Sequence, residues 1–222
     1  MQIAPGTRFS ARALLFDMDG TLVDSTVSVE RVWGNWAESH GVSFAEVAHR
    51  MHGRRALDIM RDLVPPGVDP EVEVEIVNHN ELVDTDGIVA IRGAAELLAS
   101  LPRRAWALVT SAQLPLASAR MGAGGLSLPE VVVTADDIAV GKPNPACYQL
   151  ALKRLGLQPD DAIVFEDAPS GLAAGRAAGC RTIAIASTMP TENLANEDWL
   201  YDLSTLVLES VDPEGLMHFQ VR

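Results

Sequence analysis

Short, continuous apolar runs recur along the chain and are separated by segments long enough for helices. The runs lie at 13–16, 105–109, 131–133, 162–165, 182–185 and 206–208. Continuous apolar runs of this length are typical of strands buried on both faces of a sheet. Helices are predicted over 143–155 and 170–178, where Gly156 and Gly179 end the patterns. Strands that alternate with helices predict an α/β fold with a Rossmann-like parallel sheet.

The segment between residue 25 and about residue 91 has a different, helical pattern. A stripe of apolar residues at helical spacing, which includes Trp33 and Trp36, ends at Gly41. Further helices are predicted after residue 43, over 54–64 and from residue 69 onward, where EVEVEIV has strand-like alternation but continues into a polar run too long for an isolated strand. We therefore expect a helical cap domain, residues 25–92, inserted into a core made of residues 1–24 and 93–222.

The composition excludes several classes of partner. The chain has 222 residues, 48% of them hydrophobic, and a net charge of -13. Such a chain repels polyanions, so we expect no nucleic-acid partner and no binding to an anionic membrane. The two cysteines, Cys147 and Cys180, have neither a disulfide framework nor metal-ligand spacing and are interpreted as packed thiols. No signal-peptide pattern and no apolar run of membrane-spanning length is found, so a cytoplasmic location is predicted.

Two aspartates follow the first buried run directly. Asp17 and Asp19 are two positions apart, so on a strand they would point the same way, at the carboxyl edge where ligands bind in open α/β sheets. Two carboxylates about 4 Å apart repel each other by about 4 kcal/mol at an effective dielectric of 20. A cation between them would relieve this repulsion, and a few oxygen ligands suit Mg²⁺. The alternative is a helix N-cap cluster with solvated aspartates.

Three more segments carry polar residues at predicted strand or helix ends. Thr110 and Ser111 follow the run at 105–109, and Glu166 and Asp167 follow the run at 162–165. Lys142, one of only two lysines, lies just before a proline at the start of a helix. Taken singly, these residues are also explained as helix caps and a solvated charge.

Together, the segments FDMDGT, VTS, GKPNP and FEDAPSG resemble the four motifs of the haloacid dehalogenase-type phosphohydrolases. The resemblance covers about residues 10 to 210, and that family also inserts a helical cap after its first motif. Within the family, SVERVWGNWAESHGV and HGRRAL look similar to bacterial sugar-phosphate phosphatases. Close neighbours are the glycerol-phosphate and deoxysugar-phosphate phosphatases, and β-phosphoglucomutase is a more distant one.

The resemblance assigns the chemistry position by position. Asp17 matches the nucleophile, which would form an aspartyl-phosphate, and Asp19 matches the general acid/base. Mg²⁺ would be bound by the side chain of Asp17, the backbone carbonyl of Asp19 and the side chain of Asp167. Glu166 would lie beside these ligands and help to orient them without binding the metal itself.

The resemblance also implies which residues hold the substrate. The predicted phosphate-binding groups are Thr110, Ser111 and Lys142. The predicted sugar-binding groups on the cap are His52, Arg54 and Arg55, although adjacent arginines are also often solvated. The expected partner is a small phosphorylated metabolite, and the expected state is a monomer or weak homodimer.

Three functions remain open at this point. The favoured one is a Mg²⁺-dependent phosphatase of small phosphorylated sugars or polyols. A mutase of the β-phosphoglucomutase type would grip a second phosphate with its cap, but this cap has no lysine, and Val29 stands where mutase-like proteins carry a histidine. A receiver that is phosphorylated on aspartate, without enzymatic activity, needs no cap. Asp19 argues against a dehalogenase, whose leaving halide needs no proton.

Overall fold

The computed structural model describes residues 1–48, 50 and 53–222; the predicted substrate contact His52 lies outside these residues. The strands in that part of the chain are β1 (Arg8–Ala11), β2 (Ala13–Phe16), β3 (Val23–Asp24), β4 (Val89–Ala90), β5 (Trp106–Val109), β6 (Val131–Val133), β7 (Ala162–Glu166), β8 (Arg181–Ile185), β9 (Trp199–Leu200), β10 (Leu206–Val211) and β11 (Met217–Val221). The α-helices are α1 (Thr26–His40), α2 (Phe44–Ala48), α3 (Ala56–Leu63), α4 (Pro70–Val83), α5 (Ala94–Ser100), α6 (Leu114–Ala123), α7 (Ala146–Leu155) and α8 (Pro169–Ala177).

The core is a six-stranded parallel sheet with strand order β6-β5-β2-β7-β8-β9. All residues of β2 and β5 are buried, because apolar clusters cover both faces of the sheet. Residues of α5 and α6 contribute to the cluster on one face, and residues of α7 and α8 contribute to the cluster on the other. The predicted α/β class with a Rossmann-like core is confirmed. Cys147 and Cys180 are buried free thiols in the second cluster, as expected.

One predicted strand belongs to a different sheet. The apolar run at 206–208 is part of β10, which joins β11 and β1 in a three-stranded antiparallel sheet. Alternate residues of β1 and β11 are buried, as expected for strands that face the core on one side only. The sixth strand of the parallel sheet is instead β9, whose two residues are too few to produce an apolar run.

The alternating segment EVEVEIV is helical, as predicted, and lies in α4. The Asp69 side chain accepts a hydrogen bond from the Glu71 N–H (2.9 Å) at the start of this helix. Val74 and Val77 pack into the apolar cluster of the cap, whereas Val72 is exposed. The buried residues of this segment therefore follow helical spacing, although its sequence alternates like a strand. None of the helices in the described ranges has the length and apolar character needed to cross a bilayer.

The helices α1 to α4 pack around an apolar cluster of their own. Trp33 and Trp36 are buried in this cluster, as predicted, and their indole N–H groups donate to Glu81 (3.0 Å) and Glu73 (2.9 Å). The chain enters this helical segment through β3 and leaves it through β4, and the two strands pair with each other. The separate core and the paired connections support the division into 1–24, 25–92 and 93–222, which stays a prediction.

Candidate active site

The carboxyl ends of β5, β2 and β7 lie next to one another because these strands are neighbours in the sheet. Phe16 is paired with Leu108 on one side and with Phe165 on the other. The residues that follow these positions therefore emerge at one edge, and Asp17 reaches it between β5 and β7. The sheet order thus brings together segments that are up to 150 residues apart in sequence.

Lys142 joins all three of these strand ends. Its ammonium donates to Asp17 Oδ1 (2.5 Å), to Glu166 Oε1 (2.6 Å) and to the carbonyl of Val109 (3.1 Å). The residue is only 4% exposed. Tyr148 Oη also donates to Glu166 Oε1 (2.7 Å), so this carboxylate is held from two sides. The ammonium of Lys142 thus contacts the carboxylates, and its predicted contact with phosphate stays a prediction.

The site carries more negative than positive charge. Carboxylate oxygens of Asp17, Glu166 and Asp167 lie within 4.8 Å of one another, and one ammonium of the described chain faces them, which gives -3 + 1 = -2 when all are ionised. Burial, followed by the charge of Glu166, raises the pKa of Asp17 well above its usual range and that of Asp167 to about 8. Burial alone would lower the pKa of Lys142, but the charges of Asp17 and Glu166 outweigh it and raise that pKa. A divalent cation would balance this excess.

The donor set fits such a cation. Asp167 Oδ1 is buried and has no hydrogen-bond partner among the residues the structure describes, while Oδ2 accepts from Thr188 Oγ1 (2.6 Å). All the clustered donors are carboxylate oxygens, which suit Mg²⁺. Gly20, with φ of 80°, passes so close that a Cβ there would lie 2.2 Å from Asp167 Oδ2, so no larger residue fits beside this carboxylate. The residues present therefore fit the predicted magnesium ion.

Asp19 points to a different set of partners from Asp17. Its carboxylate accepts from Ser25 Oγ (2.6 Å) and from Arg120 Nη1 (2.8 Å). β2 ends at Phe16, and the two carboxylates that follow it are held by different partners, although both line one cavity at this edge of the sheet. The predicted roles of Asp19 as acid/base and as a metal ligand through its backbone carbonyl stay predictions.

Arg120 is a site residue that was not predicted, although its place in the sequence carries a signal. Arg120 lies on α6 between the buried residues Ala117 and Met121, so it occupies the apolar face of that helix. A buried arginine needs charged partners, and Asp19 and Glu81 provide them. An arginine on an apolar helical face would have pointed to this network.

A cavity of about 80 Å³ separates the sheet edge from the helical segment. Its core side is lined by residues that include Asp17, Asp19, Thr110 and Ser111. Its cap side is lined by residues that include Trp33, Arg54, Asn78 and Glu81. Thr110 Oγ1 accepts from the Ala112 N–H (3.1 Å), which leaves the hydroxyl proton of Thr110 to donate toward the cavity.

The two predicted cap arginines have different surroundings. Arg54 lines the cavity and is paired with Asp62 (2.9 Å). Arg55 instead forms a bidentate pair with Asp58 (2.7 and 2.8 Å) and donates to the carbonyls of Ile138 (3.2 Å) and Ala139 (3.0 Å). These contacts occupy its guanidinium, so the structure favours a tether between cap and core over the substrate contact predicted for Arg55.

Further contacts hold the cap over the core. Ser111 Oγ donates to the carbonyl of Gly53 (3.1 Å), and Asn78 Nδ2 donates to Gln113 Oε1 (3.2 Å). The Ser111 hydroxyl is thus used on the cap, and its predicted phosphate contact rests on its backbone N–H.

Comparisons with known proteins agree with this geometry. The family model of the haloacid dehalogenase-like hydrolases matches residues 11–179. Hexitol phosphatase A of Escherichia coli is 39% identical over 92% of this chain and 96% of its own length. 2-Deoxyglucose-6-phosphate phosphatase 1 of Saccharomyces cerevisiae is 33% identical over 81% of this chain and 82% of its own length.

A solved structure shows the same fold. The crystal structure of a hydrolase from Pseudomonas syringae superposes with a TM-score of 0.77 at 22% identity, over 86% of this chain and 94% of that one. The predicted enzyme class, a phosphoric monoester hydrolase, is confirmed by the relatives. The chain belongs to the haloacid dehalogenase-like hydrolases.

Proposed function

We propose that the chain is a Mg²⁺-dependent phosphatase that hydrolyses small phosphorylated sugars or polyols through an aspartyl-phosphate on Asp17. The observation that carries the proposal is the buried group of Asp17, Lys142, Glu166 and Asp167 beside a cavity that also contains Asp19. The names of the relatives, which include a hexitol phosphatase and a deoxyglucose-phosphate phosphatase, support this class of substrate.

The metal site would consist of the side chains of Asp17 and Asp167 and the backbone carbonyl of Asp19. When bound, Mg²⁺ supplies positive charge to the phosphoryl oxygens. Glu166 is held by Lys142 and Tyr148, so it keeps its place beside the two ligand carboxylates.

The side chains provide the remaining chemistry. Lys142 holds one oxygen of Asp17 and so fixes the direction of the other, which attacks phosphorus in line. Asp19 donates a proton to the leaving oxygen and then accepts one from the water that hydrolyses the aspartyl-phosphate. Thr110 donates to a phosphoryl oxygen, and the cap excludes other water.

The two alternatives are less well supported. A mutase must grip a second phosphate from the cap, but Arg54 is already paired with Asp62 and Arg55 with Asp58. Asp19 is a second carboxylate that Arg120 holds in the cavity between cap and core. A phospho-aspartate receiver does not need such a proton donor. The monomeric or weakly dimeric state and the cytoplasmic location stay predictions.

Release of phosphate from a panel of substrates tests the proposal. We expect the purified chain to release phosphate from hexitol phosphates, 2-deoxyglucose 6-phosphate or glycerol 1-phosphate with Mg²⁺, and to lose this activity in chelator. Asp17→Asn should lower kcat on the order of 10³-fold or more, because it removes the nucleophilic oxygen. Asp160→Asn, at an exposed residue before the amino end of β7, is the matched control. Full activity of Asp17→Asn, or an isomeric sugar phosphate in place of free phosphate, would overturn the proposal.

A further inference from the structure

A buried chain of polar contacts links the cap to Asp19. Arg120 of α6 donates to Asp19 Oδ2 (2.8 Å) on the core side and to Glu81 Oε1 (2.9 Å) of α4 on the cap side. Both Arg120 and Glu81 are 4% exposed. The Trp33 indole N–H of α1 also donates to Glu81 Oε1 (3.0 Å), so two cap helices fix the acceptor that receives Arg120.

Packing does not fix the side chain of Asp19. Its side chain is 32% exposed, and its orientation depends on two hydrogen bonds. One comes from Arg120 and the other from Ser25, the residue that precedes α1. Both partners are thus connected to the cap, Ser25 through the chain and Arg120 through Glu81.

The two hydrogen bonds are compatible with proton transfer. A hydroxyl donates or accepts, so Ser25 Oγ keeps its contact with Oδ1 whether or not that oxygen carries a proton. Arg120 only donates, and it holds the other oxygen, Oδ2. One oxygen of Asp19 is therefore anchored while the other is left to exchange the proton.

We infer that Arg120 is a positioning residue for the proposed reaction: it anchors Asp19 for proton transfer, and Glu81 holds Arg120 in place when the cap covers the core. The inference rests on the proposed function, in which Asp19 is the acid/base. Arg120 Nε is buried without a partner in the described part of the chain, so the two Nη contacts, to Asp19 and Glu81, hold this guanidinium.

The test compares two leaving groups. Glycerol 1-phosphate releases a poor leaving group that needs a proton from Asp19, whereas p-nitrophenyl phosphate releases one that does not. The value of kcat/KM covers binding and the steps up to departure of the alcohol. It therefore reports on Asp19 as the acid and not on its later role as the base. A role only in folding or in holding the cap would lower kcat/KM for both substrates alike.

The variant must remove the anchor without leaving a buried charge. The double variant Glu81→Met/Arg120→Met replaces the buried pair by apolar side chains, an exchange that proteins often tolerate. Glu81→Gln/Arg120→Gln is the second variant, which keeps polar groups at both positions. Arg8→Met/Glu209→Met removes an exposed pair (2.9 Å) on the antiparallel sheet and is the matched control.

We expect both cap–core variants to lose about 10²-fold or more in kcat/KM for glycerol 1-phosphate and less than about threefold for p-nitrophenyl phosphate, in line with the contribution of a placed general acid. The control should match the wild type on both substrates. Equal losses on the two substrates, or wild-type values on both, in a variant with a wild-type urea midpoint would overturn the inference. Failure of the wild type to hydrolyse either ester would instead refute the proposed function.

Discussion

Replacing Lys142 by methionine removes the ammonium that balances the buried carboxylates. The side chain is 1% exposed, and Nζ lies 2.5 Å from Asp17 and 2.6 Å from Glu166, so water cannot take its place. Removal of one partner from a buried ion pair costs about 3–5 kcal/mol. Because a domain is stable by only about 5–15 kcal/mol, metal-free Lys142→Met should lose a substantial share of its free energy of unfolding.

The loss should depend on pH in a defined direction. Burial already raises the pKa of Asp17 and Asp167 in the folded protein, and removal of Lys142 raises both further. The folded state then binds more protons than the unfolded state above about pH 4, so the free energy of unfolding falls as the pH rises. We expect a larger loss for Lys142→Met at pH 8 than at pH 6.

Urea unfolding in chelator measures this loss, and Lys153→Met is the control. Lys153 is the other lysine of the chain and is exposed on α7. Added Mg²⁺ binds the folded state and should restore about 2.7 kcal/mol at a hundred times its Kd. The reasoning is refuted if metal-free Lys142→Met stays within about 0.5 kcal/mol of the wild type, the range of ordinary surface substitutions.

Three further predictions follow from the same contacts. The pKa of Asp167 is raised to about 8, so its ionisation destabilises the metal-free fold as the pH rises from about 4 to 8. In chelator, Asp167→Asn should therefore be more stable than the wild type in urea titrations, by a margin that grows from pH 5 to pH 8. This margin should shrink when Mg²⁺ is added. Gly171→Ala should lower the thermal midpoint, because its Cβ would lie 1.8 Å from a Glu166 carboxylate oxygen. Gly34→Ala on α1, where the Cβ would lie at an ordinary contact distance of 3.9 Å from the Phe44 ring, should instead add about 0.5–1 kcal/mol. Arg54→Ala should raise KM for a sugar phosphate in steady-state assays, whereas Arg55→Ala should mainly lower the unfolding free energy; the opposite pattern would exchange their roles.

The sequence was enough to predict the parts of the fold with strong local patterns. The runs at 13–16 and 131–133 are strands with the predicted bounds, because strands buried on both faces consist of apolar residues throughout. The two-residue strands β3, β4 and β9 give no such signal, since pairing with neighbours far along the chain defines them.

The site was predictable where its residues directly follow strands and less so where helices supply them. Glu81 and Arg120 are 39 residues apart and meet only because the cap lies over the core. Arg54 and Arg55 are equivalent in sequence, but Arg55 packs over Gly141, where a Cβ would lie 2.8 Å from its Nε. The apolar helical face predicts that Arg120 is buried, but no local pattern identifies Glu81 as its partner or distinguishes Arg54 from Arg55.

The pairing of β3 with β4 has a consequence for how enzymes of this kind diversify. Val23 lies opposite Ala90 and Asp24 opposite Val89, so the chain departs and returns at a single point. If the predicted cap, residues 25–92, is a separate domain, recombination could exchange it while every strand of the parallel sheet keeps its neighbours. A replacement cap would have to bring its own carboxylate to Arg120, which limits the caps this core would accept.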